Sequence, residues 1–310
     1  MSGLAAFLMF RALERAVDAT QPRAEVYTPH HKVRDRLEVD GERIKVDWMH
    51  IKPPRGDSEN ALWFFHGAGS EENAWYEPGM LASKEWLAVE ELLNPYPHVF
   101  CMSFSKLWCI SKTKDRRYGE RDAFVDSVEA IIHHVEKQYL PNGPKKRIGV
   151  GTSMGGFNLL QMFTHRPNLW NGICLQNPML KDYTQPEKVM ADYLIEREFG
   201  RRDWDEQMPN NPQNMALVTK DHPRVHMQIA KHDEFGFQIP GRKYYEDLLA
   251  KGVNITLREN TAGHHDLDDV LAASFINDVL KDPPPPAENH EQPKEEEAEN
   301  KEQGESEKPQ

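Results

Sequence analysis

The sequence predicts an α/β protein with a mostly parallel central sheet and helices on both faces. Three observations carry this expectation. Short apolar runs of buried-strand length alternate with amphipathic helical stretches over roughly 240 residues. Glycine-containing bends follow several of the runs, at Gly67 to Gly69, Gly151 to Gly156 and Gly263. A hairpin leads the series, with Asp40-Gly41 as its turn signal, so the sheet should be mixed.

Taken in order, 36–39 and 43–51 form the hairpin, where Ile44, Val46 and Trp48 alternate with polar neighbours. A polar loop over 53–60 leads to the apolar run Ala61-Leu62-Trp63-Phe64-Phe65, which ends in His66-Gly67-Ala68-Gly69-Ser70. A glycine-rich bend at the carboxyl end of a central strand is where open α/β sheets place their ligands. A helix is expected over 80–93, a strand over 97–104 and an irregular basic loop over 105–120. The helix at 122–140 carries Phe124, Val128, Ile131, Ile132 and Val135 on one face and stops before Pro141. His133 and His134 on it lack a metal-ligand pattern, so no metal is expected there.

The stretch Lys145 to Phe163 then reads strand, Gly-Thr-Ser-Met-Gly-Gly bend, helix. A strand follows at 169–176, and a less regular segment at 178–222 has the length of a cap-like insert. Strands at 224–230 and 253–258 deliver Lys231-His232-Asp233-Glu234-Phe235 and Gly263-His264-His265. A helix at 239–250 lies between them, and a closing helix at 267–280 is expected to be capped by Asp266.

Composition limits the functional classes. Three cysteines make no disulfide framework, and none has CxxC spacing, which fits buried thiols in a reducing, cytoplasmic setting. The formal net charge is −12, and residues 281–310, with ten acidic and four basic side chains, hold half of it. The mildly acidic body argues against a nucleic-acid surface. No segment is long enough to span a bilayer. Leu4, Phe7, Leu8, Leu13 and Val17 fall at helical spacing, and no basic residue precedes them. An amphipathic helix packed on the domain is therefore expected ahead of a secretion signal or a membrane-surface anchor. The expected organisation is a helix and linker over 1–33, a catalytic domain over 34–281, and a disordered Pro/Glu-rich tail over 282–310.

The chemistry rests on order along the chain. A serine at the tip of a sharp strand-to-helix turn needs glycines two residues either side, as Gly151 and Gly155 stand around Ser153. Serine is a poor nucleophile until a base takes its proton, and a carboxylate orients that base. Ser153, then Asp233, then the His264-His265 pair stand past successive strands, in the order Ser, Asp, His.

These residues resemble α/β-hydrolase serine esterases of the esterase-D type, which include feruloyl-esterase-like and S-formylglutathione-hydrolase-like proteins. His66 to Trp75 looks like their HG loop, Gly151 to Gly156 their G-x-SMGG elbow, Lys231 to Phe235 their acid loop and Gly263 to Leu267 their histidine loop. The resemblance covers about residues 35–280 and implies an α/β-hydrolase fold without a cofactor. It implies Ser153 as nucleophile and the backbone amides of Ala68 and Met154 as oxyanion donors. Alignment on Gly263-x-His265 favours His265 over His264 as base, and Asp233 is preferred to Glu234 and Asp266 as acid. The expected activity is cleavage of a small-molecule carboxylic ester or thioester through an acyl-enzyme. An acyltransferase, a peptidase and a non-catalytic binding protein are the alternatives. The basic loop and the insert match nothing in the family pattern, so they leave the substrate open, and the oligomeric state is open too.

Overall fold

The computed structural model describes residues 30–39, 42–53, 58–67, 83–102, 121–183, 204–261, 263–264 and 267–282. The helix expected near the N-terminus, the 105–120 loop, residues 184–203 of the expected insert and the tail beyond 282 lie outside these residues.

Among the described residues eight strands form one sheet: β1 (His30–Val39), β2 (Glu42–Ile51), β3 (Asn60–Phe65), β4 (His98–Met102), β5 (Lys146–Thr152), β6 (Gly172–Gln176), β7 (Arg224–Ala230) and β8 (Ile255–Asn260). Their spatial order is β1-β2-β4-β3-β5-β6-β7-β8. β2 runs antiparallel to both of its neighbours, while every pairing from β4 to β8 is parallel. The sheet is mixed at its leading edge, as the hairpin predicted. β1 begins earlier than expected because it pairs with β2 over its whole length, from His30↔Ile51 to Val39↔Glu42.

Both faces of the central strands are buried, and alternate residues feed two cores. On one face Trp63, Phe65 and Phe100 pack with the helices α2 (Arg121–Tyr139), α3 (Met154–His165) and α5 (Gln238–Ala250). On the other, Leu62, Phe64, Val99, Ile148 and Val150 pack with α1 (Ser83–Glu91) and α6 (Asp269–Lys281). Parallel strands need a crossover connection, usually a helix, so the alternating pattern of the sequence becomes this layered arrangement.

A buried ion pair ties three elements together. Glu136 of α2 accepts from Arg147 Nε (2.7 Å) and NH2 (2.6 Å) on β5, and from Trp63 Nε1 (2.8 Å) on β3. Arg147 NH1 also donates to the Leu169 carbonyl at 2.7 Å.

The structure differs from expectation at other places too. The strand expected from residue 169 begins only at Gly172, because Pro167–Leu169 forms a 3-10 turn. There the Asn171 side chain accepts from the Arg147 amide at 2.7 Å and turns the chain into the sheet. The cap of α6 is Asp268, whose side chain accepts from Leu271 N at 3.1 Å, rather than Asp266, which lies outside the described residues. Within the expected insert, α4 (Pro212–Leu217) is an unanticipated helix. It starts with Asn211 capping Gln213 N at 2.9 Å and with proline at the first helical position. Met208 and Met215 join the core around α3, so this part of the insert packs directly on the helix behind Ser153.

Candidate active site

Every candidate side chain stands just past the carboxyl end of a parallel strand. Ser153 follows β5, Asp233 follows β7, and His264 follows β8. Because the strands are parallel, these ends share one edge of the sheet.

Ser153 is at φ 53° and ψ −118°, a positive-φ conformation that side chains other than glycine rarely adopt. The neighbouring glycines explain how the turn closes. A Cβ on Gly155 would lie 1.9 Å from the Phe65 carbonyl oxygen, and one on Gly151 would lie 2.9 Å from the Gly155 oxygen. The turn is pressed against the end of β3, and only hydrogen atoms fit between them. Gly67 completes the approach from the other side, its Cα hydrogen pointing toward Ser153 Cβ and the Thr152 carbonyl. Ser153 N donates to the Gln176 carbonyl at 2.9 Å, and the Ser153 carbonyl accepts from Met179 N at 2.9 Å. The serine backbone is thus held by the chain leaving β6.

The α3 helix begins at Met154, and its first intrahelical bond runs from Phe157 N to the Ser153 carbonyl at 3.2 Å. The amides of Met154 to Gly156 precede that bond, so they belong to the helix end that attracts negative charge. Ala68, the other expected amide donor, lies outside the described residues.

Asp233 and His264 are in direct contact. Asp233 Oδ2 is 2.7 Å from His264 Nδ1, and the two side chains are 0% and 3% exposed. An ionised carboxylate only accepts, so Nδ1 carries the proton and the neutral ring presents its lone pair at Nε2. The other carboxylate oxygen, Oδ1, accepts from Phe235 N at 2.7 Å, and the Asp233 carbonyl accepts from Gly236 N at 3.1 Å. Gly236 has φ +84°, which lets the acid loop turn sharply. Phe235 and Phe237 bring their rings within 4.7 and 5.5 Å of the imidazole centroid, an apolar flank that strengthens the buried charge–dipole contact. The Glu234 carboxylate accepts from the His264 backbone amide at 3.1 Å.

The alignment argument favoured His265, yet the imidazole against Asp233 belongs to His264. His265 lies outside the described residues. Sequence reasoning also passed over four buried carboxamides at this edge. Gln176 accepts from Thr152 Oγ1 at 2.9 Å. Gln228 accepts from Asp268 N at 2.7 Å and from Asn260 Nδ2 at 3.2 Å, and its amide donates to the Asp268 carbonyl at 2.9 Å. Asn177 accepts from Ala230 N at 2.7 Å and donates to the His264 carbonyl. A signal was present for Gln176, an amide ending the otherwise apolar β6, but not for Gln228 inside β7 or for Asn260 after Arg258 and Glu259 of β8.

Among the described residues no cluster of three or more His, Cys, Asp or Glu could hold a metal ion. No described helix is long and apolar enough to cross a membrane. Cys101 and Cys174 are buried, and burial pushes the Cys174 thiol well above its ordinary range.

No protein-family model matches the chain, and no curated protein shows significant sequence similarity to it. Solved structures do resemble it. The esterase Est22 superposes with a TM-score of 0.62 at 16% identity, over 90% of this chain and 89% of that one. An S-formylglutathione hydrolase from Agrobacterium tumefaciens gives 0.56 at 14% identity, over 81% and 93%. A thermostable esterase from Pseudomonas putida gives 0.59 at 13%, over 87% and 86%. The chain has the α/β-hydrolase fold. At this level of identity the likeness carries the fold, and the site must be argued from its own residues.

Proposed function

We propose that this protein is a serine hydrolase that cleaves a small carboxylic ester through an acyl-enzyme, with Ser153 as nucleophile, His264 as base and Asp233 as acid. The observation that carries the reading is a strained serine at a strand-to-helix turn, on the same sheet edge as a buried, hydrogen-bonded Asp–His pair. Strain of this kind costs on the order of 1–3 kcal/mol and persists where it exposes a functional side chain. That solved neighbours covering 81–90% of the chain are two esterases and an S-formylglutathione hydrolase agrees with the same reading.

In this mechanism Ser153 Oγ attacks the acyl carbon while its proton passes to His264 Nε2. The carbonyl oxygen takes up the electron pair and becomes an oxyanion, met by the Met154 amide and, from the resemblance, the Ala68 amide. Collapse breaks the bond to the leaving alcohol, which takes the proton from His264. Water then repeats the sequence on the acyl-enzyme, releasing the acid and regenerating Ser153. Asp233 keeps the imidazole in the required tautomer and stabilises the imidazolium; it does not itself become protonated. A thioester offers the same acyl carbon with a better leaving group, so small thioesters belong to the substrate class. The 178–222 segment, part of which packs on α3, is the element we assign to shaping the acyl pocket.

Replacing Ser153 by alanine is expected to abolish hydrolysis of p-nitrophenyl acetate and labelling by a fluorophosphonate probe, with circular dichroism unchanged. Turnover in the variant at the wild-type rate would overturn the reading.

A further inference from the structure

Asn177 is fully buried, has φ 42°, and mediates contacts that reach all three loops of the proposed triad. Its backbone N–H donates to the Gln228 carbonyl at 2.8 Å, one residue past the last β6–β7 pair. Its side-chain oxygen accepts from Ala230 N at 2.7 Å, and Ala230 in turn accepts from the Asp233 amide at 3.2 Å. Its side-chain NH2 donates to the carbonyl of His264. On either side in sequence, Gln176 O and Met179 N bond the two ends of the Ser153 peptide. The carboxamide therefore joins the nucleophile's backbone brace to the acid loop and to the histidine itself. Its donor and its acceptor are both used, by buried backbone groups 87 and 53 residues away. The left-handed backbone conformation narrows the choice of residue further: asparagine tolerates it, whereas leucine or valine there would be strained.

We propose that Asn177 is the positioning residue that holds His264 and the Asp233 loop in register with the nucleophile. This rests on the triad reading above. It acts through other groups and touches no substrate. Its contribution is to keep the imidazole on Asp233 while the serine loop stays fixed, and displacements of about 1 Å in such an arrangement can cost on the order of 100-fold in rate.

The test uses Asn177→Gly, which keeps the positive φ and removes the carboxamide, and Asn177→Asp, which keeps the acceptor for Ala230 and removes the donor to His264. Two readouts are followed on folded protein. With p-nitrophenyl acetate, kcat should fall on the order of 100-fold in Asn177→Gly while KM stays within about 2-fold. The strongly deshielded Nδ1–H proton of an imidazole bonded to a carboxylate should be visible by NMR in the wild type and in Ser153→Ala. It should be lost or shifted in both Asn177 variants. A folded variant that keeps the wild-type kcat and imidazole proton would overturn the proposal. So would lost stability with these two readouts unmoved, or failure of both variants to fold, since either assigns Asn177 a structural role only. If the wild type fails to hydrolyse esters but shows the imidazole proton, and the variants lose it, the ester reading falls and the positioning role stands.

Discussion

His264 and His265 differ by one position in sequence and by everything in consequence. The ring 2.7 Å from Asp233 is that of His264. Substituting His264 by glutamine is expected to lower kcat by at least about 10⁴-fold, while the same change at His265 should stay within a few-fold. Steady-state kinetics with p-nitrophenyl acetate on the two variants decides between them. At this scale Ser153 and Asp233 were readable because each follows a recognisable strand and sits in a sharply punctuated turn. The choice between the histidines was not readable, because it depends on backbone direction in a loop whose spacing suits both. Asn177 was missed for a related reason. Its role lies in contacts 53 and 87 residues away, which no local pattern records.

The element most exposed to solution conditions is the β7–β8 edge that carries the acid and histidine loops. His226 on β7 is buried with Nδ1 2.8 Å from Thr256 Oγ1 and Nε2 3.1 Å from the Gln228 side-chain amide. Burial lowers its pKa to about 4, outweighing the opposite pull of Asp268. A histidine whose folded pKa is depressed stabilises the fold fully above its unfolded value near 6.5, and that contribution is lost as pH falls toward 4. Urea unfolding should accordingly show stability falling by up to about 3 kcal/mol between these limits. His226→Gln should flatten that dependence; an unchanged slope in the variant would show that other groups carry it. The link to the site is Gln228, which meets His226 with its amide and the Asp268 backbone with both ends of its side chain. Protonation of Nε2 turns its contact with the Gln228 amide into donor against donor, at the base of the histidine loop.

For the whole molecule, the fold closes at α6. Ala272, Ala273, Ile276, Val279 and Leu280 of that helix complete the second core, and Arg224 at the start of β7 pairs with Asp282 at 3.0 Å. Residues 283–310 contribute charge and proline but few apolar side chains. Deleting 283–310 should leave the melting temperature and kcat/KM unchanged, whereas deleting from 269 should prevent folding by exposing the apolar face under Phe64 and Val150. Thermal denaturation of the two truncated proteins separates the outcomes; a large loss of stability in the shorter deletion would mean that the tail packs on the domain.

By itself the sequence determined the alternation of strands and helices, the mixed leading edge and the Ser, Asp, His order. All of these are written in local periodicity and in the glycine spacing that a tight turn demands. Only the tertiary structure decided where β6 begins, that Asp268 caps α6, and which histidine lies on Asp233. It also gathered Gln176, Asn177, Gln228 and Asn260 at one sheet edge. Apart from the Asp268 cap, whose bond to Leu271 is local, one physical reason is common to these. They turn on which buried polar group satisfies which distant partner, and that pairing exists only once the strands have come into register.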